Sequence, residues 1–228
     1  MIESKRDGLI GYTGDLLIDN NIIWPRADKM DVDILIIEAT YGHYKTKFPP
    51  RRKIYKQILN WAERMLKKYD RVFFYAYPLG KPQELTKIFY KEYKVPISVN
   101  EKIALYNRIV EKYGIHLGKY EVSEEGPIVL KSISDIKTSV VRAGKSAVHA
   151  ILTGRLELFK KMMALYNVYG FPMSSHSDPY SLIDYIDEIG PREIFTIIEP
   201  GSIYLAKRLR KLKFRAAPLR KGQRMLDV

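Results

Sequence analysis

The sequence has no cysteine. That excludes disulfides, thiolate zinc sites and a cysteine nucleophile, and it leaves His, Asp and Glu as the side chains able to hold a metal. Histidine is scarce too: His43, His116, His149 and His176 are the whole complement. No run reaches the roughly 18 apolar residues needed to span a bilayer, and the opening MIESKRDGLIGYTGD has no apolar stretch of the signal-peptide kind. A cytoplasmic protein without a membrane partner is the expectation. Acidic residues are missing from one stretch altogether, since Leu205 to Arg224 holds nine basic side chains and no acidic one.

What is present is a chain of 228 residues, 46% hydrophobic and 29% charged, long enough for one large domain or two small ones with a genuine core. Abundant Tyr, Ile, Lys and Glu beside the missing Cys is a composition of the thermophile kind. The net charge of +13 is unevenly placed: residues 1–40 carry four basic and eight acidic side chains, whereas residues 45–94 carry fourteen basic against four acidic. Two basic regions flanking acidic segments suit a polyanion, DNA or RNA, running past a site, although a solvated charged surface gives the same counts.

Hydrophobic patterning predicts an α/β protein. Strands are expected at Leu9–Tyr12, Asp33–Glu38, Val72–Tyr77, Ile128–Leu130, Thr138–Arg142 and Glu193–Ile198. The run Ile34-Leu35-Ile36-Ile37 has the continuous apolar character of a strand buried on both faces. Helices are expected at Arg51–Tyr69, with Ile54, Ile58, Trp61, Ala62 and Met65 at helical spacing, and at Pro82–Tyr93, Glu101–Tyr113, Pro179–Ile189 and Ser202–Leu212. Polar chemistry falls at strand ends and in the loops after them.

Four such signatures occur in order: Thr13-Gly14-Asp15, Glu38-Ala39-Thr40-Tyr41-Gly42, Ser175-His176-Ser177-Asp178 and Glu199-Pro200-Gly201-Ser202. A fifth segment, Tyr75-Ala76-Tyr77-Pro78-Leu79-Gly80-Lys81-Pro82-Gln83, joins a strand to a helix. Each has a purely structural reading. Thr-Gly-Asp makes an ordinary turn, Glu38 can be a solvated strand terminus, and Ser177 or Asp178 before Pro179 makes a helix N-cap. Gly80-Lys81 before a helix would suit a phosphate, but it is not a P-loop. His43 beside Tyr44 and Lys45 reads as a surface residue.

Together, in this order and spacing, the signatures resemble the second half of the β-CASP nucleases of metallo-β-lactamase fold, with the nearest likeness to exonucleases associated with DNA ligase and helicase operons. The resemblance implies a partial metallo-β-lactamase αββα sandwich, residues 1–43 and 165–228, with an inserted α/β β-CASP cap at 44–164. It further implies phosphodiester hydrolysis of DNA or RNA. Asp15 matches a metal-bridging aspartate, and Glu199 stands where many members have a histidine ligand. Glu38 and His176 match the pair that protonates the leaving oxygen, with Asp178 orienting His176. Lys81, Arg208 and Arg210 would contact nucleic acid. Zinc is the family's metal, yet the His-x-His-x-Asp-His motif that holds it lies upstream of the Gly-Asp turn and is not in this sequence. The expectation is a chain with little or no bound zinc, inactive alone, and either a homodimer or completed by a second chain. The alternative is a non-catalytic nucleic-acid-binding or scaffold subunit.

Overall fold

The computed structural model describes residues 1–45 and 47–220. Lys221 and Arg224, the end of the basic tail, lie outside the described residues. Along the chain run β1 (Ile2–Ser4), β2 (Gly8–Tyr12), β3 (Ile34–Glu38), α1 (Arg51–Leu66), β4 (Arg71–Ala76), α2 (Lys81–Tyr93), β5 (Ile97–Val99) and α3 (Glu101–Lys112). There follow β6 (Tyr120–Val122), β7 (Ile128–Ser132), α4 (Ile136–Ala143), β8 (Ala147–Leu152), α5 (Leu156–Tyr166), β9 (Val168–Phe171), α6 (Pro179–Ile189), β10 (Glu193–Ile197), α7 (Gly201–Lys211) and β11 (Ala216–Pro218). The chain is an α/β protein in two compact units. Unit 1 takes residues 1–20, 26–48 and 176–220; unit 2 takes 21–25 and 49–175. No helix among the described residues is long and apolar enough to cross a membrane.

Unit 1 is built on one five-stranded sheet in the order β1-β2-β3-β10-β11. β2, β3, β10 and β11 are parallel, and β1 turns back antiparallel along β2. Leu35, Ile37 and Ile194 pack on Leu182, Tyr185, Ile186 and Ile189 of α6 and on Leu205 and Leu209 of α7. Two glycines of the sequence signatures have a steric reason to be glycine. A Cβ at Gly201 would come 1.7 Å from the Ala39 carbonyl oxygen, and one at Gly42 would come 2.2 Å from that of Gly201. The backbone after β3 and the first turn of α7 therefore touch directly, which any side chain would prevent.

Unit 2 is a wholly parallel six-stranded sheet, order β6-β5-β7-β4-β8-β9, covered on both faces. Alternation along β4 decides the layers. Val72, Phe74 and Ala76 face the helices α1, α2 and α3 through Ile54, Ile58, Trp61, Leu85, Phe89 and Ile103. Phe73 and Tyr75 face α4 and α5 through Ile136, Val140, Phe159 and Met163. Such a two-faced core explains why β4 reads as an unbroken apolar and aromatic run.

One expected strand is wrong: Thr138–Arg142 lies within helix α4. Its β-branched residues suggested extended chain, but Ile136 and Val140, four apart, share the face that packs on the sheet, and burial outweighs the weak local preference. The strands β1, β5, β6, β9 and β11, three or four residues long, were not foreseen, nor were β8 and α5, which fill a stretch from Val148 to about Lys161 whose pattern is ambiguous in sequence.

Candidate functional site

In unit 1 the polar ends of the sheet converge on Glu38, the last residue of β3. Its side chain is fully buried, so the carboxylate needs internal partners. Oε1 accepts from the Leu16 N–H at 3.1 Å and Oε2 from the Thr40 N–H at 2.8 Å. The His176 Nδ1 lies 2.9 Å from Oε1, with the Thr40 hydroxyl 3.3 Å from the same nitrogen. A carboxylate can only accept, so Nδ1 carries the proton. Burial on its own raises the Glu38 pKa, but the hydrogen bond and charge of His176, with the bonds from Thr40, outweigh it and hold the carboxyl below the ordinary value.

Local structure fixes this pair. The Thr13 hydroxyl accepts from the Glu38 N–H at 3.3 Å. Ser177 donates its N–H to the Leu16 carbonyl and accepts from the Ile18 N–H through Oγ, both at 2.8 Å. The segment after β2 is thus tied to the residue beside His176. Asp178 is the N-cap of α6: Oδ1 accepts from the N–H groups of Tyr180 and Ser181, and Oδ2 accepts from the Phe48 N–H at 3.0 Å. The carboxylate at Nδ1 of His176 is that of Glu38. The ring keeps about a quarter of its surface exposed and meets the buried Tyr41 edge-on at 6.0 Å.

Asp15 and Glu199 are both exposed, on the turn after β2 and the turn after β10. Among the described residues no group of three or more His, Asp or Glu side chains is placed to hold a metal ion. The donor set of a zinc pair is therefore not met by these residues. His149 sits inside the unit 2 sheet, its Nδ1 2.9 Å from the Tyr75 hydroxyl. Burial pushes its pKa down to about 4, which keeps the ring neutral at physiological pH.

The three expected nucleic-acid contacts differ in kind. Arg208 of α7 donates to the Tyr44 carbonyl at 2.6 Å and lies over the Tyr180 ring at 5.5 Å. Arg210 is exposed and reaches the Ala216 carbonyl at 3.1 Å. Lys81, in unit 2, is 5% exposed. Burial first, then the nearby Arg51, push its ammonium down to about 8 against the opposing pull of Glu84; its Nζ lies 3.3 Å from the Ser175 hydroxyl. The loop before Lys81 is fastened by Gln83, which accepts from the Gly80 N–H and donates to the Pro78 carbonyl and to Asn107.

Thr13, Thr40 and Gln83 were not singled out from the sequence, although all three lie inside the quoted signatures. Their bonds run largely to backbone or within loops, and only the pattern of small polar residues at strand ends hinted at them.

No family model and no curated protein matches the chain. Among solved structures it is similar to a protein of unknown function from Enterococcus faecalis V583, with 12% sequence identity and a TM-score of 0.54. The match takes in 94% of this chain and 57% of that one, so this chain spans little more than half of its neighbour's length. At that identity the likeness concerns the fold alone.

Proposed function

We propose that this chain is a nucleic-acid-processing protein related to the β-CASP nucleases of metallo-β-lactamase fold, with unit 1 as a partial metallo-β-lactamase domain and unit 2 as the β-CASP cap, residues 165–175 going with unit 2 and not with the partial domain to which the resemblance assigns them. The observation that carries the reading is the 2.9 Å contact between Glu38 and His176, which joins two signatures 138 positions apart in the order the resemblance implies. In this role Glu38 holds the Nδ1 proton and fixes the ring, and Nε2 of the protonated ring delivers a proton to the leaving oxygen as the phosphodiester breaks. Asp178 positions the loop through the α6 cap.

A pair of zinc ions would supply the attacking hydroxide, but the described residues do not offer its donors. On this reading residues 1–228 do not cleave by themselves, and the missing ligands come from outside them. The second reading, a non-catalytic nucleic-acid-binding subunit, is favoured by that same shortage of donors. Metal analysis of the purified protein, with cleavage assays on single-stranded DNA and RNA in added Zn²⁺ or Mn²⁺, tests the proposal. Less than one zinc per chain and no turnover are expected. Two tightly held equivalents, with cleavage abolished by Asp15→Ala, overturn the inactivity of the chain alone, and failure to bind either nucleic acid at low salt overturns the nucleic-acid reading itself.

A further inference from the structure

We propose that unit 2 carries a separate groove for single-stranded nucleic acid between α1 and the edge strand β9. The groove is open and encloses about 810 Å³. One wall is a polar stripe on α1: Lys53, Gln57, Asn60, Arg64 and Lys67 recur every three or four residues and are all exposed, on the side of the helix not used by Ile54, Ile58 and Ala62 in the core. At 1.5 Å per residue the stripe is about 21 Å long, enough for several phosphates. The other wall is β9, the edge strand of the sheet, through Tyr169, Gly170 and Phe171, with Pro172 just after it.

Two observations choose the occupant. The first is charge: among the described residues Lys53, Arg64 and Lys67 face the groove against Glu63 alone, and Glu63 is engaged with Lys67 at 3.1 Å, which leaves Lys53 and Arg64 to meet an anion. The second is Tyr169, which lies stacked over Trp61 with centroids 5.3 Å apart and planes at 29°. Trp61 is buried beneath it, while Tyr169 is 52% exposed. A supported aromatic face beside a row of cations is the pattern that takes an unpaired base and its phosphates. The side-chain amides of Gln57 and Asn60 lie between the two cations, within reach of a base edge.

This groove shares a ligand class with the proposed function and makes no use of the Glu38–His176 pair. The test is fluorescence anisotropy of the full chain with a labelled oligouridylate of about twelve nucleotides, titrated across salt concentrations. The double substitution Lys53→Gln/Arg64→Gln should weaken binding roughly tenfold and lower the slope of log affinity against log salt by about 1.4. Tyr169→Ala should weaken binding several-fold without altering the slope, Tyr169→Phe should restore it, and binding of polyphosphate should not respond to Tyr169. If the chain binds but the groove substitutions have no effect, or if Lys102→Gln/Lys112→Gln on α3 costs as much, the groove falls while the nucleic-acid reading stands. No binding even at low salt removes both. If the groove substitutions instead turn an oligomer into a monomer with affinity intact, the groove takes a second copy of the chain and the proposal is wrong.

Discussion

At Glu38, solvent exclusion opposes ionisation and the surrounding donors favour it, and the donors win. The folded carboxyl keeps its charge to lower pH than the unfolded chain's, so its contribution to stability is complete above the ordinary value of 4.5 and is lost as pH falls below it. Glu38→Gln should remove that acid-side dependence and cost about 1–3 kcal/mol at neutral pH, because an amide cannot accept from Leu16, Thr40 and His176 together. Urea midpoints measured from pH 7 to pH 3 decide it; an equally steep acid decline in the variant would place the titrating group elsewhere. Glu38 and His176 stood out because each sits in a recognisable signature, and the structure brings their side chains together. Asp15 and Glu199 drew notice for the same reason but are exposed, whereas Thr13 and Thr40 hold the arrangement through hydroxyl and backbone groups that a sequence does not display.

Helix α1 shows what an element can and cannot reveal in advance. Its apolar spacing gave the helix and its buried face. Its first residue, Arg51, hides a network: Nε and NH2 grip the two oxygens of the buried Glu84 at 2.8 Å each, Tyr55 donates to the same carboxylate, and NH1 donates to the Ser174 carbonyl at 2.7 Å. The side chains of Arg51 and Glu84 are 8% and 2% exposed. Arg51→Met should therefore destabilise the protein by about 3–5 kcal/mol, the cost of stranding a buried charge, and Arg51→Met/Glu84→Leu should recover much of it. Thermal melts of the two variants check this; equal losses would mean that the pairing carries no special weight. Helix α4 was misread because five residues of β-branched and polar type cannot announce which face they will bury, and the sheet decided it.

At the scale of the whole molecule, the α/β class followed from alternating strands and helices, but the strand orders did not, because pairings such as β3 with β10 join residues some 160 positions apart. The hairpin of β1 and β2 leaves Ile2 66%, Leu9 38% and Tyr12 61% exposed, an apolar edge of the kind that seeks a partner. Sedimentation at micromolar concentration should show a dimer, and Leu9→Glu/Tyr12→Lys should shift it to monomer; a monodisperse monomer of the unaltered protein ends that expectation.

The contact between Arg51 and the Ser174 carbonyl also bears on the order in which the chain folds. It clasps the two ends of the long segment of unit 2, so that folding of this segment brings Pro49 close to Ser175 although more than a hundred residues lie between them. Closing so long a loop to only a few effective residues removes about 3 kcal/mol of entropic cost from the later joining of β3 to β10. Unit 1 is interrupted in sequence, and it can assemble as if it were nearly continuous once the inserted unit has formed; the inserted unit is synthesised in full before α6, β10 and α7.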